Sequence, residues 1–178
     1  MIYMFLADGF EEIEALCPLD LLRRAGLEVR TVGIGGSVIQ GSHGIKVTAD
    51  MVDTDFDGKD IDMVILPGGM PGSVNLDASV TVDKALKLAA EKNAYLCAIC
   101  AAPLVLGRRG LLAGKRVTCY PGFEHELTGA SEIVTGVATD GKVITAEGMG
   151  VALDFGLALV AALTGKDQAE RIKHAIRA

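Results

Sequence analysis

The chain has no tryptophan, and aromatic residues make up only 4% of its 178 positions. So few rings offer no series of stacking faces for single-stranded nucleic acid. Basic clusters are missing too. The net charge is −6, and no basic run is longer than a pair, as at Arg23-Arg24 and Arg108-Arg109. Without a basic patch, counterion release has nothing to act through, so no nucleic-acid partner is expected. Long apolar runs are also lacking. Met1 to Leu6 is apolar but runs straight into Asp8 and Glu11, too soon for a signal segment or a membrane span. No membrane partner is expected, and the expected location is cytoplasmic. In that setting Cys17, Cys97, Cys100 and Cys119 read as thiols, not as a disulfide framework. Histidine is scarce. His43, His125 and His174 contain no pair at metal-ligand spacing and no local Cys/His cluster, so no metal is expected.

What is present is an apolar fraction of 50% against 22% charged, which is globular composition. At about 100–200 residues per domain, residues 1–178 form one domain able to bury a full core. Strand-like and helix-like segments alternate. Ile2 to Ala7 reads as a strand, Phe10 to Ala25 as a helix stopped by Gly26, and Glu28 to Ile34 as a strand. Val38 to Gln40 and Ile45 to Val47 read as a hairpin, and Asp62 to Leu66 as a buried strand closed by Pro67-Gly68-Gly69. Then come a helix over Ser79 to Lys92, a strand over Ala94 to Ile99 and a short helix from Ala102. Arg116 to Cys119 reads as a strand and Pro121 to Leu127 as a helical turn. Ile133 to Val137 and Val143 to Ala146 read as a hairpin, and Val151 to Leu163 and Asp167 to Ile176 as closing helices. This alternation predicts a mostly parallel sheet covered on both faces, with ligands at the carboxyl ends of its strands.

The segment from Ala94 to Pro103 carries the most chemistry. An apolar strand runs directly into a helix with Cys100 at the joint and small residues after it. A sharp strand-to-helix turn of that kind is a nucleophile elbow, which lifts one side chain above the sheet. Helix N-terminal N–H groups favour a thiolate, so Cys100 is expected at an unusual or positive φ and to titrate below the ordinary ~8.5. The N–H of Ala101 is placed to donate to an oxyanion. The competing reading is a buried core cysteine. Cys97 and Cys100 also match C-x-x-C, but residues three apart in a strand face opposite ways, which disfavours a disulfide.

Two further segments stand out. In Glu11-Glu12-Ile13-Glu14, complementing the helix dipole is enough to explain Glu11 and Glu12. Glu14 shares a helical stripe with Cys17, Pro18, Leu21 and Ala25, the face expected to be buried. A carboxylate there is either paired or held protonated, and a protonated Glu14 could donate to a thiolate. Leu66-Pro67-Gly68-Gly69 is either a tight turn or a backbone cradle; its spacing is neither a P-loop nor a dinucleotide fingerprint. His125 is the one histidine near a predicted strand end and hence the candidate base for a cysteine hydrolase.

Glu-Glu-Ile-Glu ending at Glu14, Leu-Pro-Gly-Gly at 66–69, Ala-Ile-Cys-Ala-Ala-Pro at 98–103 and Glu-Gly-Met-Gly at 147–150 occur in this order. Together they resemble the DJ-1 branch of the DJ-1/ThiJ/PfpI superfamily across essentially the whole chain. The resemblance implies a flavodoxin-like three-layer α/β/α sandwich, a homodimer, and a cofactor-free site. It assigns Cys100 as nucleophile, Glu14 as its protonated partner, and Gly69 and Ala101 as backbone oxyanion donors. It further implies glutathione-independent glyoxalase activity on small α-oxoaldehydes, such as methylglyoxal to lactate, or removal of early glycation adducts. Non-catalytic oxidant sensing or chaperone activity through the same cysteine is the alternative, with an amidase or protease third. Three positions depart from the family pattern. Tyr120 stands where many relatives have histidine, Ala101 where the protease-like branch has histidine, and His43 where relatives often carry arginine. A phenol is a poor base at neutral pH, so no Cys–His relay is expected at the usual place. Tyr120, His125 and His43 are expected as further pocket residues.

Overall fold

The computed structural model describes residues 1–178. Strand β1 (Ile2–Leu6) is followed by α1 (Glu12–Arg24) and β2 (Val29–Gly33). A short hairpin of β3 (Val38–Gln40) and β4 (Lys46–Thr48) leads to β5 (Met51–Val52) and β6 (Met63–Leu66). Next come α2 (Gly72–Asp77), α3 (Val80–Glu91), β7 (Tyr95–Ile99) and α4 (Pro103–Arg108). The last third holds β8 (Arg116–Val117), β9 (Glu132–Ile133), β10 (Val137–Asp140), β11 (Val143–Ala146), α5 (Ala152–Thr164) and α6 (Lys166–Ala175).

Seven strands form one sheet in the order β10-β11-β7-β6-β1-β2-β5, and every pair is parallel except β10 with β11. A central strand of a parallel sheet is covered on both faces, and β1 (IYMFL) is buried at all five positions. Its side chains alternate between two cores. Tyr3 and Phe5 join Phe56, Leu76, Leu86 and Leu104 on one face. Ile2, Met4 and Leu6 join Leu22, Phe155, Leu159 and Ile172 on the other. The result is the three-layer, flavodoxin-like sandwich expected from the sequence.

The chain leaves β1 toward β2 on one side and later returns to place β6 on the other. The order therefore switches at the carboxyl ends of β1 and β6, where open α/β sheets bind ligands. The loops there are stitched together. Glu11 N–H donates to Gly68 O at 2.9 Å, and Gly72 N–H donates to Gly9 O at 3.2 Å. Helix α1 is fixed from behind by α5. A Cβ on Gly156 would sit 3.0 Å from Pro18 Cα and closer still to Leu21 Cδ1.

Several element boundaries differ from the sequence reading. The strand expected over Ile133 to Val137 is two strands. Ile133 pairs with Val117 in a small parallel side sheet, and the hairpin with β11 uses Val137 to Asp140. The break lies at Gly136, whose φ of 75° turns the chain. The Arg116 to Cys119 strand is only Arg116–Val117, because Thr118 N–H turns to Thr145 Oγ1 at 2.8 Å. The helical turn over Pro121 to Leu127 is a single 3-10 turn, Glu124–Glu126. Helix α2 opens on Gly72-Ser73, which reads as loop in sequence, and β5 is too short to show a pattern.

Because α1 packs so closely on α5, Gly156→Val is expected to cost about 1–3 kcal/mol through overpacking. Urea denaturation would show it as a lower midpoint. The substitution should also slow alkylation of Cys100, since it displaces the helix that carries Glu14.

Candidate active site

Cys100 follows the end of β7 and adopts φ 63°, the left-handed region that a non-glycine residue enters only under constraint. The constraint is visible on both sides of its peptide. Its N–H donates to Ala146 O, and its carbonyl accepts from Tyr120 N–H, each at 2.8 Å. The backbone N–H groups of Gly69 and Ala101 act on the sulfur and favour its ionised form. Helix α4, six residues long, starts only at Pro103, so these fixed N–H groups lie nearer the sulfur than the helix does.

Glu14 reaches the same point from α1. It is 1% exposed, its Oε2 accepts from Gly68 N–H at 3.0 Å, and its carboxyl lies close enough to the Cys100 thiol for each to shift the other's ionisation. Glu11 caps α1 by accepting from Glu14 N–H at 2.8 Å, which fixes the turn on which Glu14 sits. Gly68 is what allows the approach. A Cβ there would collide with Glu14 Oε2, Cys100 Cβ and Ile99 O.

Burial pushes the Glu14 carboxyl up to about 7, with the Glu11 charge adding and the Gly68 N–H opposing. Burial also pushes the Cys100 thiol up to about 12, helped by the Glu14 charge and the Glu14 hydrogen bond; the Gly69 and Ala101 N–H groups oppose this. The expected depression of the Cys100 pKa is therefore corrected. Sequence reasoning counts nearby donors but cannot weigh the lost hydration of the elbow or the repulsion of an ionised neighbour. Moving the proton to Glu14 removes that repulsion and turns the carboxyl into a donor toward sulfur. A thiolate at Cys100 is thus tied to a protonated Glu14.

The other candidate residues fall in different places. Tyr120 is half exposed and lines a cleft with Pro121 and residues 147–151. His43 lies on the connection between β3 and β4, where its Nδ1 meets Glu12 Oε2 at 2.9 Å and its N–H donates to Glu12 Oε1 at 2.8 Å. Burial opposes the ionisation of Glu12, but His43 and backbone N–H groups outweigh it and lower the carboxyl to about 2. The same pairing raises the His43 imidazole. Glu11, Glu12 and His43 offer ligand atoms within 4.8 Å of one another, a grouping of cation-binding side chains that local spacing hid. Glu12 already uses its oxygens to brace the connecting loop to α1. His125 occupies the exposed 3-10 turn, with Nε2 at 3.6 Å from Glu126, and is not among the groups acting on Cys100. Cys97 is fully buried in β7, with its thiol pushed far up by burial alone.

Substitutions at Glu14 separate its two effects. Glu14→Gln keeps a donor toward the sulfur, and Glu14→Leu removes it. The pH midpoint for iodoacetamide alkylation of Cys100 is expected to be lower in the Gln variant than in the Leu variant. A folded-state pKa of about 7, against an ordinary 4.5, means that the proton on Glu14 stabilises the fold. That contribution is complete below 4.5 and is lost as pH rises through about 7. Its full size is on the order of 3 kcal/mol. Thermal denaturation between pH 5 and 8 is expected to show this loss in the native protein and a flatter profile in Glu14→Gln.

Comparison with known proteins identifies the chain's relatives. The model of the DJ-1/PfpI family matches residues 1–162. Protein DJ-1 homolog B of Arabidopsis thaliana is 36% identical over 170 residues, covering 94% of this chain but only 39% of the relative, so this chain spans less than half of that protein's length. The glutathione-independent glyoxalase DJR-1.2 of Caenorhabditis elegans is 32% identical over 160 residues, covering 89% of this chain and 85% of the relative. The structure of oxidized Toxoplasma gondii DJ-1 superposes with a TM-score of 0.94 at 32% identity, covering 98% of this chain and 96% of that one. With a family model spanning most of its length and a matching fold, the chain belongs to the DJ-1/PfpI family.

Proposed function

We propose that this protein is a cofactor-free glyoxalase acting on small α-oxoaldehydes, with Cys100 as nucleophile and Glu14 as proton carrier. The observation that carries the reading is the pairing of buried Glu14 with part-buried Cys100, beside the N–H groups of Gly69 and Ala101. The name of the Caenorhabditis elegans relative points the same way.

The chemistry follows from the pair. The proton moves from Cys100 to Glu14, and the thiolate adds to the aldehyde carbon of methylglyoxal. The carbonyl π pair becomes an alkoxide held by the Gly69 and Ala101 N–H groups. Glu14 supplies the proton that neutralises this oxygen. The neighbouring ketone acidifies the remaining hydrogen on the former aldehyde carbon. Ionised Glu14 removes that hydrogen, giving an enediolate; the hydroxyl proton of the former aldehyde passes to the former ketone oxygen as Glu14 returns its proton to the former ketone carbon, leaving a thioester on Cys100. One carbon is oxidised and its neighbour reduced, so no external redox partner takes part. Water then cleaves the thioester, releasing lactate and the thiol. A shuttle that both accepts and donates works best with a pKa near the working pH, and Glu14 sits at about 7. Early glycation adducts, which are hemithioacetals and hemiaminals of the same aldehydes, present the same carbon to Cys100.

A second reading draws on the same donors. Two equivalents of peroxide would convert the thiolate through sulfenate to sulfinate with loss of two waters. The Gly69 and Ala101 N–H groups and protonated Glu14 would hold the new oxygens, making Cys100 an oxidant sensor. An amidase or protease reading lacks a base, because His125 is turned outward to Glu126.

The discriminating measurement is lactate formed from methylglyoxal without glutathione. Multiple turnovers are expected in the native protein and none in Cys100→Ser. Glu14→Gln is expected to lower kcat by about 10²–10⁴, the usual worth of a proton shuttle, while Cys100 is still oxidised by peroxide. Fewer than one lactate per protein chain would leave the sensor reading. We also propose a homodimer. Ile13 and Ile45 are about half exposed, and both lie beside Glu12, which offers an apolar surface to a second copy. Light scattering is expected to give twice the 18.6 kDa chain mass.

A further inference from the structure

We infer that the cleft beside Cys100 binds the substituent of the α-oxoaldehyde and selects neutral aryl-bearing substrates over small or anionic ones. The inference rests on the glyoxalase reading and narrows its substrate class.

The cleft has a volume of about 430 Å³ and is lined by Tyr120, Pro121, Glu147, Gly148, Met149 and Val151, among others. Both of its walls are tied to the nucleophile's own peptide. One wall begins at Tyr120, whose N–H donates to Cys100 O; the other follows directly from Ala146, whose carbonyl accepts from Cys100 N–H. The cleft therefore opens from the two segments that hold the Cys100 peptide, and we place the substituent of a Cys100-bound carbon in it. Pockets of about 300–1,000 Å³ suit ligands far larger than a three-carbon aldehyde, which would leave most of the space to water.

The lining indicates what fills it. The Tyr120 ring is 50% exposed and Met149 53% exposed, although both are large enough to be buried elsewhere in so apolar a chain. An aromatic ring and a polarisable thioether in one lining suit a planar, uncharged ring. Gly148 leaves the Tyr120 face open; a Cβ there would lie 3.4 Å from Tyr120 Cδ2. No Lys, Arg or His lines the cleft, and its one carboxylate is Glu147, held by Gly136 N–H at 2.7 Å. A substituent bearing a carboxylate would meet like charge with no compensating cation.

The test compares kcat/KM for phenylglyoxal, methylglyoxal and 4-carboxyphenylglyoxal. Phenylglyoxal is expected to exceed each of the others by at least tenfold. Gly148→Leu, which fills the space over the Tyr120 ring, is expected to bring the phenylglyoxal-to-methylglyoxal ratio to about one. Glu147→Gln is expected to narrow the gap between phenylglyoxal and its carboxylated form. A native ratio near one, or one unmoved by Gly148→Leu, overturns the inference. Binding without turnover separates this outcome from failure of the glyoxalase reading itself. In Cys100→Ser protein labelled with [methyl-13C]methionine, acetophenone is expected to shift the Met149 resonance saturably, and 4-acetylbenzoate to shift it at least tenfold more weakly. No acetophenone shift at Met149 overturns the inference even if methylglyoxal is turned over. A selective shift upholds the cleft even if no aldehyde is.

Discussion

The buried Glu14 carboxyl organises this molecule. Glu14 accepts from Gly68 N–H and meets the Cys100 thiol, so one side chain joins the helix after β1, the loop after β6 and the turn after β7. Burying a carboxyl is costly unless it is neutral or well bonded, and here it is partly both. The surrounding structure follows from that constraint. Gly68 has no side chain because Glu14 and Cys100 occupy the space, and Glu11 fixes the first turn of α1 from below. Gly156 lets α5 press α1 toward the sheet. The charge state of Glu14 decides in turn whether the sulfur beside it is repelled or supported.

Most of the architecture was legible because it rests on periodicity. The fully buried β1 and β6 and the largely buried β7 read as short apolar runs, and the amphipathic α3 and α6 as stripes. Elements that depend on one or two distant hydrogen bonds were not legible. The end of β8 is decided by Thr145 Oγ1, far along the chain, and the break between β9 and β10 by the turn at Gly136. The first leaves no local pattern; the second is a single glycine inside an otherwise strand-like run.

The site was legible to a similar degree. An apolar strand ending in Cys followed by small residues marks an elbow, and a Glu on an apolar helical stripe marks a buried acid. Their meeting could be inferred only from resemblance, since no local spacing relates them. The direction of the thiol's shift was missed because hydration is lost through the whole surrounding shell, not through any neighbour in sequence. His125 looked like a base because it is a histidine near a strand end, yet the Arg108–Glu126 pair next to it shows that turn to be a surface ion-pair site. The brace between His43 and Glu12 was hidden for the opposite reason: its partners lie in different elements, and only the tertiary fold brings them together.

The clamp on the Cys100 peptide bears on how the protein comes into being. Its N–H is held by Ala146 and its carbonyl by Tyr120, both later in the chain than the cysteine itself. During synthesis the nucleophile leaves the ribosome well before the segments that force its left-handed turn. Until β11 docks against β7, Cys100 is an ordinary thiol at the end of an incomplete sheet edge. The left-handed turn therefore forms late, with the closing of the sheet, and a nascent or C-terminally shortened chain carries Cys100 without the clamp that sets it beside Glu14.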